Sequence, residues 1–571
     1  MKRSESSYRG PVSSLLALIL AVWTLLVLIV PNVGLSITES MSIWGRLANV
    51  VLPAGLFALL LSLTRKVGKA VVLMIPLMVI AAFQLVLLYL YGRSVIAVDM
   101  FLNVVTTNPG EVGELLGNLT PIMIVVFVLY LPCIVAGIIG WCKGWLLRPR
   151  LMKEARGWSF VAFGAGVLLV GVAKVADHDY EVHKHLFPVN AFYNMGTAVN
   201  RTILTSGYHD TSAGFRFNAV SERPDSVAQT IVLVVGETSR AINWQLTGAP
   251  YATNPSLMGR QGLVAFDRVL SQSNTTHKSV PMLLSCLDAS TFGDSIYSSK
   301  SIITAFKEAG FATWFLSNQL RNRSFIDFFG QEADTCLFIR DFEQSSGLHS
   351  DFALLGYMQK ALSAPQQRKL IVLHTYGSHF NYADRYPGSV RKFLPDSPTE
   401  AKPEYRQSLI NAYNNSVLAT SALLDSVITA LSATPVMTAM LYTSDHGEDI
   451  FDDERNLFLH ASPCPSYYQI HVPMVLWVSP AMDEAYPALL AGAGANAHKY
   501  VASSQAFFHT AMQLGGLTSP CFDASRSVAA DSYTEPQRLY LTDHNEAVPL
   551  ERSGLTRHDF LKLDSLGVRL Q

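Results

Sequence analysis

Long apolar runs in the first third of the chain constrain its fold more than any other feature. We place five of them at roughly 12–30, 46–64, 69–91, 120–147 and 158–176. Each has, or nearly has, the roughly 20 apolar residues that a helix needs to cross a bilayer. Further apolar runs follow the first one at once, and no small-residue cleavage site stands out before Pro31. We therefore interpret the first run as an anchor rather than a cleaved signal sequence, and residues 1–176 as a five-helix transmembrane bundle.

The basic residues predict how this bundle is oriented. Lys2, Arg3 and Arg9 precede the first run, and the segments RKVGK (65–69) and RPRLMKEARG (148–157) follow the second and fourth runs. Connections that are rich in lysine and arginine remain on the cytoplasmic side of a membrane. The amino terminus is then cytoplasmic, and an odd number of spans places everything after about residue 177 on the opposite side.

The rest of the chain divides into a linker and a globular domain. Residues 177–226 mix histidine, aromatic and apolar residues, which predicts a juxtamembrane linker with an amphipathic helix at the membrane surface, although its histidines could instead bind a metal. Residues 227–571 alternate short apolar runs with helical patterns, which is typical of one α/β domain. The net charge of −1 gives no indication of a nucleic-acid partner.

Six cysteines are divided between the two regions. Four of them lie in the external domain, where disulfides are allowed: Cys286, Cys336, Cys464 and Cys521. These four cysteines can form two disulfides in three different ways, and the sequence does not choose among the three.

Three predicted strands of the external domain end at side chains that can bind a metal. The apolar runs are TIVLVV (230–235), KLIVLH (369–374) and MTAMLYT (437–443). They are followed by Glu237, by His379 and by the pair Asp445–His446. Ligand sites in open α/β sheets form at the carboxyl ends of the strands. Glu237, Asp445 and His446 offer a mixed set of nitrogen and oxygen ligands that suits Zn²⁺, with Mn²⁺ as the second choice.

The segment SQSNTTHKSVP (271–281) supplies a hydroxyl for such a site. Thr276 is the candidate nucleophile, because a bound metal can lower the pKa of a coordinated hydroxyl by several units. The chemistry alone does not separate Thr276 from Thr275. Lys278 could neutralise phosphate charge. His379 and His460 could donate to a phosphoryl oxygen, act as general acid or bind a second metal.

Three other histidines of the domain are interpreted as structural: His277, His374 and His471.

Five motifs together resemble one enzyme family. VVGETSR, NTTHKSVP, LHTYGSHFNYADRYP, SDHGED and LHASP…HVPMVLW occur in the order seen in bacterial phosphoethanolamine transferases, over nearly the whole chain. Members of this family are inner-membrane enzymes with a periplasmic domain of the alkaline phosphatase/sulfatase type. The resemblance implies one zinc ion, or two, with the catalytic zinc bound by Glu237, Thr276, Asp445 and His446, and Thr276 as the residue that becomes phosphoethanolaminated. It also implies that His379 and His460 bind the transferred group or a second zinc.

The resemblance extends to a segment after the third apolar run. In NVVTTNPGE, the spacing of Asn103, Thr107 and Glu111 places them on one face of a helix. This pattern is similar to the family's lipid-headgroup site, where Glu111 would meet the ethanolamine ammonium; a polar helix end in a loop is the alternative. The chain lacks the cysteine pair that brackets the nucleophile in many members that act on lipid A. The family's lysine near FLSNQLRNR has no clear counterpart, which leaves Asn318 and Gln319.

The resemblance implies a two-step transfer. The Thr276 oxygen attacks the phosphorus of phosphatidylethanolamine, diacylglycerol leaves, and lipopolysaccharide (lipid A or core) or another periplasmic glycan then takes the group. A glycerol-phosphate transferase of the lipoteichoic acid type is an alternative with similar spans and a threonine nucleophile. A sulfatase is disfavoured, because Leu283 stands where the SVPML pattern would need arginine. The alternative from a different class is a non-catalytic membrane protein whose domain only binds phospholipid or glycan.

Overall fold

The computed structural model describes the backbone of residues 11–106, 119–342 and 348–568. It divides into two compact units, and the division in the middle of the chain falls between Asn200 and Arg201.

The described part of the first unit consists of helices. The longer ones are α1 (Pro11–Thr38), α2 (Ile43–Leu61), α3 (Val67–Leu73), α4 (Ile75–Tyr91), α5 (Val98–Thr106), α6 (Thr120–Cys142), α7 (Pro149–Ala176) and α8 (Val189–Ser206). The last residues of α5, from Asn103, and of α8, from Arg201, are counted in the second unit. Helices α1, α2, α6 and α7 are each long and apolar enough to cross a membrane. Helices α3 and α4 meet at 54°, and the pair is apolar enough to be a broken span or a re-entrant segment. The first unit thus holds four candidate spans and one bent helix pair.

Helices α1 and α7 extend furthest beyond the predicted boundaries. Helix α1 continues through Pro31 as far as Thr38, although the apolar run was expected to end near residue 30. Helix α7 begins at Pro149, so that most of the basic segment RPRLMKEARG forms its first turns instead of a loop. Proline suits the first helical position, because its fixed φ is already helical and the N–H group it lacks would have no partner inside the helix.

Glycines let helices α2 and α7 approach closely. A Cβ atom added at Gly55 would lie 2.5 Å from the backbone nitrogen of Phe163, and one added at Gly166 would lie 2.5 Å from Cα of Leu52. Small residues at such contacts allow backbone-to-backbone packing, which is how helices associate where lipid removes the hydrophobic drive.

Helix α8 lies in the segment where the sequence predicts an amphipathic helix. Its apolar side chains Phe192, Val199 and Ile203 are exposed, while Ala191 and Asn194 are buried on the other side. An apolar stripe of this kind opposite a packed face is typical of a helix at a membrane surface.

The second unit is built on a seven-stranded sheet. Its strands are β1 (Gln229–Gly236), β2 (Leu263–Phe266), β3 (Ala312–Ser317), β4 (Thr335–Phe338), β5 (Arg368–His374), β6 (Met437–Ser444) and β7 (Met474–Val478). Their order across the sheet is β2-β7-β6-β1-β5-β3-β4. Strands β6, β1, β5, β3 and β4 pair in parallel, and β7 is antiparallel to both of its neighbours. The three strands that the apolar runs predict are β1, β5 and β6, and each agrees within one residue at either end.

Helices cover both faces of this sheet. They include α9 (Thr276–Leu284), α10 (Ile302–Glu308), α11 (Phe325–Gly330), α12 (Ala353–Leu362), α13 (Arg406–Ser432), α14 (Pro487–Asn496) and α15 (Ser503–Gly515). A further helix, α16 (Arg557–Ser565), packs in a separate apolar cluster. Successive residues of β1 point to opposite faces: Ile231 and Leu233 belong to the core that contains helix α15, and Val232 and Val234 to the core that contains α13. Burial on both faces is why β1 reads as a continuous apolar run.

Two segments of the second unit lie in its core, although their sequences suggest a membrane span and a linker. Helix α13 is long and apolar enough to span a membrane, but most of its side chains are buried against the sheet. Tyr208, Phe217 and Ala219 are buried in the core that also contains α15. The compact unit therefore takes in the part of the predicted linker that follows Arg201, and does not begin at residue 227.

Candidate active site

Two adjacent parallel strands deliver the first predicted ligands. Gly236, the last residue of β1, is paired with Ser444, the last residue of β6. Glu237 follows directly on one strand and Asp445 and His446 on the other, and all three are fully or almost fully buried. Parallel pairing in this register brings the three side chains to one edge of the sheet.

Thr276 meets these side chains as the first residue of helix α9. Its Oγ1 lies 3.0 Å from Nε2 of His446 and 3.4 Å from each carboxylate oxygen of Glu237. The neighbouring Thr275 is buried, and its hydroxyl lies 3.1 Å from that of Ser273. The structure therefore presents the hydroxyl of Thr276 to the strand ends and engages that of Thr275 elsewhere.

Four of the distances between the ligand candidates are those of a tetrahedral metal site. Nε2 of His446 lies 3.2 Å from Oδ2 of Asp445 and 3.5 Å from Oε1 of Glu237. Together with the distances from Oγ1 of Thr276 to His446 and Glu237, these four distances between possible ligand atoms run from 3.0 to 3.5 Å. Ligand atoms around a tetrahedral zinc with bonds of about 2.0–2.1 Å are about 3.3–3.4 Å apart. The donor set and its spacing fit zinc.

Neighbouring groups leave the appropriate atoms open for a cation. Oδ1 of Asp445 accepts the backbone N–H groups of Thr238 and His446, whereas Oδ2 is buried without a hydrogen-bond partner. Nδ1 of His446 lies 2.9 Å from the carbonyl oxygen of Gly447. A proton on Nδ1 donates to that carbonyl and leaves the lone pair of Nε2 for a metal, as second-shell contacts of metal-binding histidines usually do.

The carboxyl groups of Glu237 and Asp445 are buried, and burial raises the free energy of their ionised forms when no cation is bound. Burial and the nearby Asp445 carboxylate together raise the pKa of Glu237 to about 8. Burial likewise raises the pKa of Asp445 to about 7. A bound divalent cation favours the ionised form of both groups, because opposite charge lowers a carboxyl pKa.

Two further histidines lie next to this cluster. The ring centroid of His460 is 4.2 Å from that of His446 and 5.8 Å from that of His379. Ligand atoms of Glu237, His446 and His460 all lie within 4.8 Å of one another, so His460 is within reach of the same cation. Burial and the two neighbouring imidazoles lower the pKa of His460 well below its usual range, which keeps its ring neutral at pH 7. The structure thus brings His379 and His460 to the site.

The side chain of Lys278 contacts backbone carbonyl groups, whereas the sequence predicts that it neutralises phosphate charge. Its ammonium donates to the carbonyl oxygens of Thr542 and Asp543, at 2.8 and 3.2 Å, and the residue is buried. Lys278 follows Thr276 by two residues on helix α9, and residues two apart do not face the same side of a helix. We correct its role to one of holding the turn at residues 542–543.

The predicted headgroup residues are only partly covered by the structure. Asn103 lies in helix α5, and its side chain is outside the described residues. Thr107 and Glu111 lie outside the described residues altogether. Their assignment remains a prediction.

The histidines interpreted as structural include two that are fully packed. His374 lies at the end of β5, with Nδ1 3.0 Å from the hydroxyl of Ser317. His471 contacts the hydroxyl of Tyr467 and the carbonyl oxygen of Asp267 through its two ring nitrogens. His277 is half-buried.

Two neighbours of Glu237 contact its carboxylate in a way that the sequence pattern does not indicate. The amide of Gln319 donates to Oε2 of Glu237 at 3.1 Å and to the carbonyl oxygen of Thr375 at 2.8 Å. Thr238 donates its hydroxyl to Oε1 of Glu237 at 2.6 Å. Gln319 follows strand β3, and its position at a strand end was the one signal that could have singled it out.

Known proteins that resemble this chain share both its sequence and its architecture. The family model described as Sulfatase matches residues 229–517, just over half of the chain. Phosphoethanolamine transferase EptA of Escherichia coli (strain K12) is 30% identical over 263 residues, which cover 45% of this chain and 47% of the relative. The chain thus spans about half the length of this curated relative.

Two solved structures extend the comparison. The integral membrane protein lipooligosaccharide phosphoethanolamine transferase A (EptA) from Neisseria meningitidis has a TM-score of 0.68 and 21% identity, and covers 92% of this chain and 99% of its own. The C-terminal periplasmic domain of EcEptC from Escherichia coli, in complex with Zn, has a TM-score of 0.53 and 24% identity, and covers 60% of this chain and 97% of its own.

These matches confirm two predictions. The fold class is a membrane-spanning helical bundle followed by an α/β domain of the alkaline phosphatase/sulfatase type. The resemblance to phosphoethanolamine transferases, stated from the motifs, is borne out by the relatives. The chain belongs to the sulfatase family.

Proposed function

We propose that this chain transfers phosphoethanolamine from phosphatidylethanolamine to lipopolysaccharide (lipid A or core) or another periplasmic glycan, through a phosphoethanolamine–Thr276 intermediate. The observation that carries the proposal is the hydroxyl of Thr276, 3.0 Å from Nε2 of His446 and 3.4 Å from Glu237. The names of the relatives supply the transferred group.

The metal proposed for this centre is zinc, with Mn²⁺ as the second choice. Glu237, Asp445, His446 and the oxygen of Thr276 would hold it, and His460 could join them or help to hold a second ion. The zinc complex of the EcEptC domain supports this choice. When bound there, zinc supplies Lewis-acid chemistry that lowers the pKa of the threonine hydroxyl and neutralises phosphoryl charge.

The residues of the chain then carry out two displacements at the same phosphorus. The Thr276 hydroxyl gives up its proton as its oxygen forms a bond to phosphorus, the bond from phosphorus to the diacylglycerol oxygen breaks, and that oxygen takes up a proton. We assign both transfers to His379, which would take the proton from Thr276 and deliver it to the diacylglycerol oxygen; its ring centroid lies 5.8 Å from that of His460. An acceptor hydroxyl next gives up its proton and attacks the phosphorus, the bond from phosphorus to the Thr276 oxygen breaks, and that oxygen takes a proton back. Asn103, Thr107 and Glu111 are proposed to bind the ethanolamine headgroup of the donor.

The proposed location is the bacterial inner membrane, with the amino terminus in the cytoplasm and the catalytic domain in the periplasm. The basic residues before α1 and at the start of α7 support this orientation. A lipid donor explains the anchor, because tethering the domain to the membrane raises the effective concentration of donor at the site. Cysteine-labelling of intact cells at introduced positions in the α1–α2 and α6–α7 connections tests it, since only the first connection should react.

Peptide mass spectrometry of the protein purified from membranes that contain phosphatidylethanolamine tests the chemistry. We expect a phosphoethanolamine adduct on the peptide that contains Thr276, its loss in Thr276→Ala and after chelation, and its retention in the matched control Thr275→Ala. A glycerophosphate adduct would instead favour the lipoteichoic-type transferase. No adduct after incubation with donor lipid and zinc, without acceptor, would refute the covalent mechanism and favour a binding protein.

A further inference from the structure

Thr238 adopts a backbone conformation that its residue type disfavours. Its φ is +56°, in the left-handed region, and its side chain is fully buried. Left-handed backbone is uncommon for any residue but glycine, and a genuine outlier for a β-branched one. Such conformations persist where the surrounding structure enforces them, and they cluster at functional sites.

The surroundings of Thr238 fix this conformation from three sides. The hydroxyl of Tyr413, on helix α13, donates to the carbonyl oxygen of Thr238 at 2.7 Å and accepts the N–H group of Arg240 at 2.9 Å. The N–H group of Ser239 donates to the hydroxyl of Ser444 at 2.8 Å. The peptide groups on both sides of Thr238 are therefore hydrogen-bonded to groups outside its own segment.

The conformation lets one residue contact both carboxylates of the candidate metal site. The hydroxyl of Thr238 donates to Oε1 of Glu237 at 2.6 Å, and its N–H group donates to Oδ1 of Asp445 at 3.1 Å. In extended backbone, successive side chains point to opposite sides, so a hydroxyl there would turn away from the preceding carboxylate. The left-handed turn brings the hydroxyl back to Glu237.

We propose that Thr238 is a positioning residue of the metal centre, whose hydroxyl and amide together set the separation and orientation of the Glu237 and Asp445 carboxylates. The inference rests on the metal site of the proposed function. Its physical reason is that two buried carboxylates of like charge tend to turn apart, while a pair of donors on one rigid residue keeps both aimed at the same point. Donors of this kind raise metal affinity by orienting the ligands in advance.

Zinc binding to the detergent-purified full chain tests this proposal. The dissociation constant is measured by competition with a chromophoric chelator, and the melting temperature of the chelator-treated protein reports folding. We expect Thr238→Val, which keeps the volume but loses the hydroxyl, to bind zinc about 10–100-fold more weakly. Thr238→Ser, which keeps the hydroxyl, is expected to stay within about threefold of the parent protein.

A control and a second variant keep the result interpretable. Thr247→Val removes a hydroxyl that donates to the carbonyl oxygens of Ala241 and Trp244, neither of which is a candidate ligand, and should leave zinc affinity unchanged. If Thr238→Val does not fold, Thr238→Gly fits the left-handed backbone, lacks the hydroxyl and should show the same loss of affinity.

Three results would overturn the proposal. If the parent binds zinc and Thr238→Val or Thr238→Gly binds it equally well, the hydroxyl does not position the ligands, although the proposed function stands. If Thr238→Ser is as weak as Thr238→Val, packing of the methyl group explains the effect. If the parent protein itself does not bind zinc, both this inference and the proposed metal centre fail.

Discussion

The buried ion pair between Arg240 and Asp452 makes the sharpest stability prediction. Nη1 of Arg240 lies 2.6 Å from Oδ2 of Asp452, and the two side chains are only 2% and 5% exposed. Arg240 follows Glu237 by three residues, and Asp452 follows His446 by six, so the pair connects the two segments that carry the candidate ligands. Burial opposes the charge of Arg240, but the adjacent Asp452 raises the pKa of Arg240 above its ordinary value.

The perturbation is Arg240→Met, which removes the guanidinium and leaves the carboxylate of Asp452 buried. Removing one partner of a buried ion pair costs about 3–5 kcal/mol. We expect the lower end, about 3 kcal/mol, because Asp452 keeps the N–H group of Ile450 at 2.7 Å and has Arg406 at 3.7 Å. A unit of about 370 residues has an unfolding entropy of roughly 0.8 kcal/mol/K, so the melting temperature should fall by about 4 °C.

The assay is a double-mutant cycle read by intrinsic fluorescence on heating. Arg240→Met combined with Asp452→Leu should recover most of the loss, because an apolar pair of similar volume replaces a buried ion pair at little cost. The matched control is the pair Arg260–Asp425, 2.8 Å apart but 28% exposed on both sides. Arg260→Met should cost less than about 1 kcal/mol. The reasoning is refuted if Arg240→Met lowers the melting temperature no more than Arg260→Met, or if the double variant loses the sum of the two single losses.

Three further predictions concern other parts of the second unit. At Gly377, where φ is +53°, a Cβ atom would lie 2.4 Å from the carbonyl oxygen of Glu237. Gly377→Ala should therefore weaken zinc binding by at least about tenfold. The control Gly388→Ala, at a position with open space around it, should leave zinc binding unchanged. The thiol of Cys286 hydrogen-bonds that of Cys521, which lowers the pKa of Cys521 below its ordinary value. Non-reducing peptide mapping after oxidation should therefore find these two joined; a link from either to another cysteine would contradict this. Burial lowers the pKa of His471 from 6.5 to about 4, so the folded protein holds this ring in its neutral form. The resulting contribution to the free energy of unfolding, at most about 3 kcal/mol, is complete above pH 6.5 and is lost as the pH falls towards 4. The melting temperature of His471→Gln should therefore fall less between pH 7 and pH 4.5 than that of the parent, and equal slopes would speak against it.

Continuous runs of apolar residues explain why much of the fold could be predicted from the sequence. The membrane spans and the strands β1, β5 and β6 are continuous apolar runs, because each is surrounded by apolar material on all sides. The ends of α1 and α7 were missed for a local reason as well. Polar and basic residues end the apolar part of each helix, but the helical backbone continues through them.

The amino-acid sequence by itself determined which residue types could do the chemistry: carboxylates and imidazoles at strand ends, and a hydroxyl in the segment 271–281. It favoured Thr276 as the nucleophile without excluding Thr275 on chemistry alone, gave Lys278 a role in binding phosphate, and did not indicate that Thr238 and Gln319 hold Glu237. These matters depend on which atoms meet across β1, β3, β6 and helix α9, which are far apart in the chain. Helix α9 points one threonine hydroxyl at His446 and buries the other, and only the packed sheet decides the direction in which that helix faces.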